Sequence, residues 1–223
     1  MKDFFTKDGF KTVVLVDPDR FDETDIEGFK EKINRISVSM FFVGGSFISR
    51  GNTEKTVRFL KKHFSMPVLL FPGDYAQLTP VADAVLFLTL LSGRNSEYLV
   101  GQQVKAAPLI KRWQMPVVSV AYLLIDGGRL STVQYITQTV PLPQDKPELV
   151  VATALAGQFM GMDAVYLEAG SGADIPVSLE IVRRVSKAVD IPVIVGGGIR
   201  DFSLLEMYRE AGASAAVIGT WFE

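Results

Sequence analysis

The stretch DAVYLEAGSGADIPV, residues 163–177, joins two kinds of chemistry that ought to conflict. Its apolar run enters a Gly-Ser-Gly turn, which is how a chain bares backbone N–H groups to a phosphate. Yet Glu168 stands where the run ends, and a carboxylate repels a phosphate. Two further glycine turns follow, in PVIVGGGIRD and AAVIGT. Gly197 and Gly198 let the backbone close on an anion, while Gly219 and Thr220 offer an opposite wall and a hydroxyl. A single glycine turn is the ordinary route from strand to helix. Three in succession favour a phosphate site. Nearer the N-terminus, VLVDPDR and FFVGGS end in Asp17 and Ser46. Hard oxygen ligands, few in number, suit Mg2+, which keeps several waters and bridges to substrate phosphates. A structural alternative stands beside this one. Asp17 before Pro18 fits an Asx turn, Ser46 a helix-entry hydroxyl, and Asp19 or Asp22 a cap for the next helix. The lone histidine, His63, falls near the end of a helical stretch on the wrong side of the strands for catalysis. Acid–base work therefore rests on carboxylates, tyrosines or the substrate.

Composition narrows the partners. The chain has 223 residues, 48% hydrophobic and 22% charged, with a formal net charge of −2. That is apolar content for a sizeable core and no global basic surface for nucleic acid. There is no cysteine, so disulfides, thiolate catalysis and Cys-metal sites are excluded. The N-terminal stretch MKDFFTKDGFKTVVLVD is too charged for a signal peptide, and no window has the apolar length of a transmembrane helix. The expectation is a cytoplasmic protein without stable membrane insertion.

Positioning the candidate residues is the task of short β-branched runs, each followed by a turn and a helix-like stretch. The runs are KTVVLVD, SMFFVGGS, MPVLLF, DAVLFLTLL, MPVVSVAYLLI, DAVYLEAG, IPVIVGGG and ASAAVIGT. Helical spacing appears at Ile26, Phe29, Ile33 and Ile36, and again at Val57, Leu60 and Phe64 after Asn52 as a cap. The rhythm falters after the third run, where PGDYAQLTPVA is too short and broken for a good helix. A long polar connection, DGGRLSTVQYITQTVPLPQDK, follows the fifth, and the sequence stops at WFE before an eighth helix. Apolar strands alternating with helices predict a closed (β/α)8 TIM barrel, one domain over residues 1–223. Alternation along the sixth strand puts Tyr166 and Glu168 on one face, Val165 and Leu167 on the other. Glutamate is costly among outer helices, so Tyr166 and Glu168 face the axis at the C-terminal mouth, where barrel active sites sit.

The motifs VDPDR, FFVGGS, SGRNSEYLVGQQV, AYLLIDGG, YLEAGSGA, VGGGIRD and VIGT resemble, in order, the geranylgeranylglyceryl phosphate synthase family. The similarity runs from the first strand to the eighth and is greatest to the archaeal-type second group, which also occurs in some bacteria. It implies a modified barrel whose third helix is missing, in agreement with the broken PGDYAQLTPVA segment. It implies a prenyltransferase that joins a long allylic diphosphate, geranylgeranyl by group, to the 3-hydroxyl of sn-glycerol 1-phosphate and releases diphosphate. By the same resemblance Asp17 and Ser46 bind Mg2+. Tyr166, Leu167, Glu168, Ala169, Gly170, Ser171, Gly172, Gly197, Gly198, Gly219 and Thr220 hold glycerol phosphate. Distant bacterial heptaprenyl relatives carry a lysine two positions before the first aspartate. This chain has Leu15, which argues against that group. Arg20 and Arg94 are then the candidates for diphosphate contact, Arg20 standing where a lysine is more usual. The family forms dimers and hexamers, so a homo-oligomer is expected, with loose peripheral contact to membrane from the greasy substrate.

Within this expectation the opening conflict dissolves. The glycine turns hold the phosphate, and Glu168 accepts hydrogen bonds from the glycerol hydroxyls and takes the proton of the attacking one. The prenyl tail needs an apolar trough, expected near Phe71, Leu78 and Val81 with Tyr122 at its edge. Rival readings from the residues are a sugar-phosphate isomerase, a flavin-dependent barrel oxidoreductase, or a non-catalytic phosphate-ligand binder.

Overall fold

Runs of valine, leucine and phenylalanine have no polar face to offer water, and a ring of strands inside a ring of helices covers both of their faces. The computed structural model, described here over residues 4–219, has that form. Its parallel strands are β1 (Lys11–Val16), β2 (Val38–Val43), β3 (Val68–Leu70), β4 (Ala84–Leu90), β5 (Val117–Leu124), β6 (Ala164–Glu168), β7 (Val193–Gly196) and β8 (Ala215–Ile218). They close into a barrel in chain order, β8 pairing with β1.

Alternation sorts the side chains as the sequence predicts. Val13, Phe42, Leu69, Leu86, Tyr122, Tyr166, Ile194 and Val217 fill the barrel interior. Val14, Phe41, Leu70, Leu123, Val165, Leu167 and Val195 pack outward under the helices. Phe4 and Phe5 join the interior cluster, and Lys11 at the start of β1 donates to the Phe4 carbonyl at 2.5 Å, so this pair plugs the N-terminal end. The opposite end is left for chemistry.

The helices are α1 (Ile26–Asn34), α2 (Thr53–His63), α3 (Gln102–Trp113), α4 (Thr132–Thr137), α5 (Pro147–Phe159), α6 (Leu179–Ala188) and α7 (Ser203–Glu210). Asn52 caps α2 as expected, accepting from the Lys55 N–H at 2.9 Å. His63 is the last residue of α2, its ring 4.5 Å from that of Phe59, and it has no part in the barrel mouth. The cap of α1 is Asp25, which accepts from the Gly28 N–H. The expectation that Asp19 or Asp22 caps this helix is therefore corrected. Asp22 holds Thr24 instead, and Asp19 turns to a different loop altogether.

Between β3 and β4 a single 3-10 turn, Tyr75–Gln77, stands in place of a helix. Two prolines and an Asp-led turn leave that stretch too little uninterrupted backbone for more. The long polar connection after β5 is not wholly irregular, since it contains α4. Ser131 accepts from the Gln134 N–H at 3.3 Å at its start. Ser131 and Gln134 have the capping-box spacing, a signal the sequence carried. Entry to α3 is a π-helical turn, Glu97–Gly101, and Pro108 interrupts its ladder further on.

Candidate active site at the barrel mouth

The strand ends bring the candidate residues together. One cavity at the C-terminal mouth is lined by Asp17 and Arg20 after β1, Gly45 and Ser46 after β2, Tyr166 and Glu168 on β6, Ser171 and Gly172 after it, Gly197 and Gly198 after β7, and Gly219 after β8. Register explains the convergence: Glu168 pairs with Gly196, and Gly196 with Val217, so the last three strands end level. Thr220 lies outside the described residues. Leu167 and Ala169 are placed otherwise, with side chains in the outer cluster. The Ala169 N–H is also taken by the Gly196 carbonyl at 3.0 Å.

The glycine turns have the predicted character. Gly170, Gly172, Gly197 and Gly198 all have positive φ, at 98°, 68°, 85° and 69°. Among the described residues, the N–H groups of Ser171, Gly172, Gly197 and Gly198 form no hydrogen bond. A cluster of bare amides beside a cavity is an anion nest. Two guanidinium groups approach from outside: Arg129 and Arg200 both donate to the Gly172 carbonyl, at 3.4 and 3.3 Å.

Glu168 stands behind this nest. It is buried and accepts from the Gly170 N–H at 2.6 Å. Burial pushes its carboxyl up to about 7, against the opposing pull of the Gly170 N–H and the Tyr166 hydroxyl. Repulsion from a bound phosphate is therefore not needed to make it basic; desolvation does so first. The Tyr166 hydroxyl lies near enough to favour the carboxylate yet closes no full hydrogen bond, and among the described residues it is buried without a partner. Its ring stacks on Phe71 at 5.2 Å and on Tyr122 at 5.4 Å. Burial, then the Glu168 charge, raises both tyrosines well above the ordinary phenol range, so each stays a neutral donor. A rigid, buried, unpaired hydroxyl at a cavity wall is a donor held ready for a ligand.

At the opposite arc Asp17 serves two ends. Its Oδ1 accepts from the Asp19 N–H at 2.9 Å, the Asx turn of the structural alternative. Its Oδ2 lies 3.9 Å from Arg20 Nε. The same carboxylate borders the cavity and lies against Gly45, where a Cβ would be 3.4 Å from Oδ2. Arg94 does not join Arg20 there; it donates to the carbonyls of Leu91 and Gly93 at 3.1 and 2.7 Å.

An apolar trough opens off the cavity. Gly45, Ser46, Phe71, Tyr122 and Val133 border both spaces, and Leu78, Leu86, Leu88, Ala106 and Ile110 continue the trough down the flank of β4. Val81 is not among its lining; it packs against the outer cluster. Val133 and Ile136 of α4 form part of the wall, which the reading of that segment as plain loop missed.

Comparison with known proteins points the same way. A geranylgeranylglyceryl phosphate synthase of Zunongwangia profunda is 46% identical over 210 residues, covering 94% of this chain and 89% of its own length. One from Thermococcus gammatolerans is 41% identical over 211 residues, covering 94% and 83%. Among solved structures, the (S)-3-O-geranylgeranylglyceryl phosphate synthase of Thermoplasma acidophilum in complex with its substrate sn-glycerol-1-phosphate matches with a TM-score of 0.87 at 34% identity. That match covers 96% of this chain and 86% of the other. An aldolase, QR15, at 17% identity and a TM-score of 0.55, shares the fold alone. The PcrB family matches residues 6–223. The chain therefore belongs to the PcrB family and, within it, to the geranylgeranylglyceryl phosphate synthases, prenyltransferases that make an ether-lipid precursor.

Proposed function

We propose that the enzyme transfers a geranylgeranyl group from its diphosphate to the 3-hydroxyl of sn-glycerol 1-phosphate, with Glu168 as the base. The observation that carries this reading is the shared wall. A polar cavity holding bare amides and a buried carboxylate opens directly onto an apolar trough, as a phosphorylated polyol and a prenyl chain together require. The phosphate of the acceptor rests on the amides of Ser171, Gly172, Gly197 and Gly198, with Gly219 completing the wall; the Thr220 hydroxyl is proposed as a further phosphate donor. Tyr166 and Glu168 bind the hydroxyls. Leu167, Ala169 and Gly170 contribute by carrying that backbone rather than by side-chain contact. In the reaction the acceptor oxygen forms its bond to the allylic C1 as the bond from C1 to diphosphate breaks. The hydroxyl proton passes to Glu168, and diphosphate departs.

Among the described residues no group of three or more acidic or histidine side chains could hold a metal alone. Asp17 with the Ser46 hydroxyl is nonetheless a fitting donor set for Mg2+, which takes few protein ligands and completes its shell with water and substrate phosphate. When bound there, Mg2+ would neutralise charge on the leaving diphosphate. Arg20 adds a second positive charge at that end. Among the described residues no helix is long and apolar enough to cross a membrane. A cytoplasmic location, assembly as a dimer or hexamer, and peripheral contact with membrane complete the proposal.

Incubation with Mg2+, labelled sn-glycerol 1-phosphate and a ladder of prenyl diphosphates tests it. Labelled ether product, formed fastest with the twenty-carbon donor, is the expected result; no labelled product with any donor would overturn it. The trough allows a finer check. Leu78→Ala removes a lining side chain and should move the preferred donor to a longer chain, seen as a changed ratio of kcat/KM between donors. An unchanged ratio removes Leu78 from the lining that matters.

A further inference from the structure

The turn that replaces the third helix does more than leave a trough uncovered. Gln77, its last residue, is a buried amide, 7% exposed. Its Nε2 donates to the Gly45 carbonyl at 2.8 Å. Its Oε1 accepts from the Gly73 N–H at 3.1 Å and, at the long limit, from the Gly45 N–H at 3.5 Å. The two loops it joins touch backbone to backbone. A Cβ on Gly73 would lie 2.5 Å from the Gly45 carbonyl oxygen and 2.8 Å from Ser46 Cα. From the far side Asp19 grips the same loop after β2, accepting from the N–H groups of Ser49, Arg50 and Gly51 and from the Ser49 hydroxyl. Those backbone contacts, Ser49 foremost, hold its carboxyl far below the usual range.

The segment that carries Ser46 is thus pinned at both ends by side chains from neighbouring loops. We infer that Gln77 is a positioning residue for the diphosphate end of the site, holding Gly45 and Ser46 against Asp17 so that hydroxyl and carboxylate converge on one point. The inference rests on the reading of the site given above and adds a residue to it. The amide is suited to the task because it donates and accepts at once. Glutamate in its place would lose the donor to Gly45 and set a negative charge beside a diphosphate. Leu78, the next residue, lines the trough, so one short turn serves both the tail and the head of the donor.

A purely structural Gln77 would satisfy buried loop amides and influence stability alone. Gln77→Met keeps the length and removes all three hydrogen bonds. In this variant KM for the prenyl diphosphate and the Mg2+ concentration at half-maximal rate should each rise about tenfold, the scale of lost polar contacts to a fixed loop. KM for sn-glycerol 1-phosphate should stay within about twofold, because its amides belong to the loops after β6 and β7. Calorimetric binding of inorganic diphosphate with Mg2+ should weaken by a similar factor, while binding of inorganic phosphate is unchanged. Parameters for both substrates moving together, or a lowered Tm with neither moving, would overturn the assignment. If Gln77→Met does not fold, Asp19→Asn loosens the same segment from its exposed side. The expected result is the same split at smaller size, and no change in diphosphate binding counts against the proposal. A wild-type protein that makes no ether product would overturn the reaction assigned above, yet would leave the diphosphate-binding contrast between wild type and variant to decide this inference.

Discussion

Glu168→Gln should lower kcat by about 10²- to 10⁴-fold, the range for removing a positioned general base, with the glycerol phosphate KM much less affected. Glutamine keeps the length and can still accept from the Gly170 N–H, so the loop of the anion nest stays in place. What it loses is the capacity to take a proton. In the wild type, burial sets the carboxyl at about 7, so kcat/KM should climb with pH and level off above that value. The profile of kcat, read on the substrate complex, should lie higher still, because the bound phosphate adds a like charge beside the carboxylate. A near-normal turnover in the variant would remove the base role. Turnover retained at saturation with a large rise in KM would leave Glu168 only a positioning role.

The same substitution makes an opposite prediction for stability. The folded protein binds the Glu168 proton more tightly than the unfolded chain does, since burial lifts the group from 4.5 to about 7. Its contribution is intact below pH 4.5 and is lost as pH rises through about 7, on the order of 3 kcal/mol in all. The neutral amide escapes that loss. Thermal melts should therefore show Glu168→Gln several degrees above wild type at pH 8 and not above it near pH 4.5. A variant that is less active and more stable in the same buffer is the signature of a group buried for function.

Gly197→Ala is expected to cost about 10²-fold in kcat/KM, through position rather than chemistry. A Cβ there would lie 2.6 Å from Glu168 Oε1 and 2.6 Å from the Gly170 N, with the backbone at φ 85°. The methyl group meets the carboxylate and the loop's own backbone together, and backbone cannot swing aside. Glu168 and the Gly170 turn are pushed out of register with each other. Gly161→Ala is the control: φ is 83° there, but nothing lies within 4 Å of the added carbon. It should show the cost of the left-handed backbone, about 1 kcal/mol of stability, with steady-state parameters unchanged. Equal kinetic losses in both variants would mean that strain, not the crowding of Glu168, matters at Gly197.

The barrel and the facing of its residues were legible in the sequence because they follow from local period. Strand alternation alone put Tyr166 and Glu168 inside and Leu167 outside, and the glycines of SGA and GGG marked turns that only a positive φ can make. Closure of the strands into a ring then brings Asp17 and Glu168 to one hollow. The capping-box spacing of Ser131 and Gln134 is equally local and marks the start of α4. What the tertiary structure decided were quantities that depend on residues far apart in the chain. Desolvation of Glu168 comes from the walls of the whole barrel, so its basicity had no local signature. The hold of Gln77 on Gly45 spans 32 positions, and nothing in DYAQL by itself distinguishes a solvated glutamine from a buried clamp. The Asx turn and the cavity-facing role of Asp17, alternatives in the sequence, coexist because one carboxylate has two oxygens with different neighbours. Periodicity writes which way a side chain points; only the closed packing of the strands determines what it meets there, and how much water is left beside it.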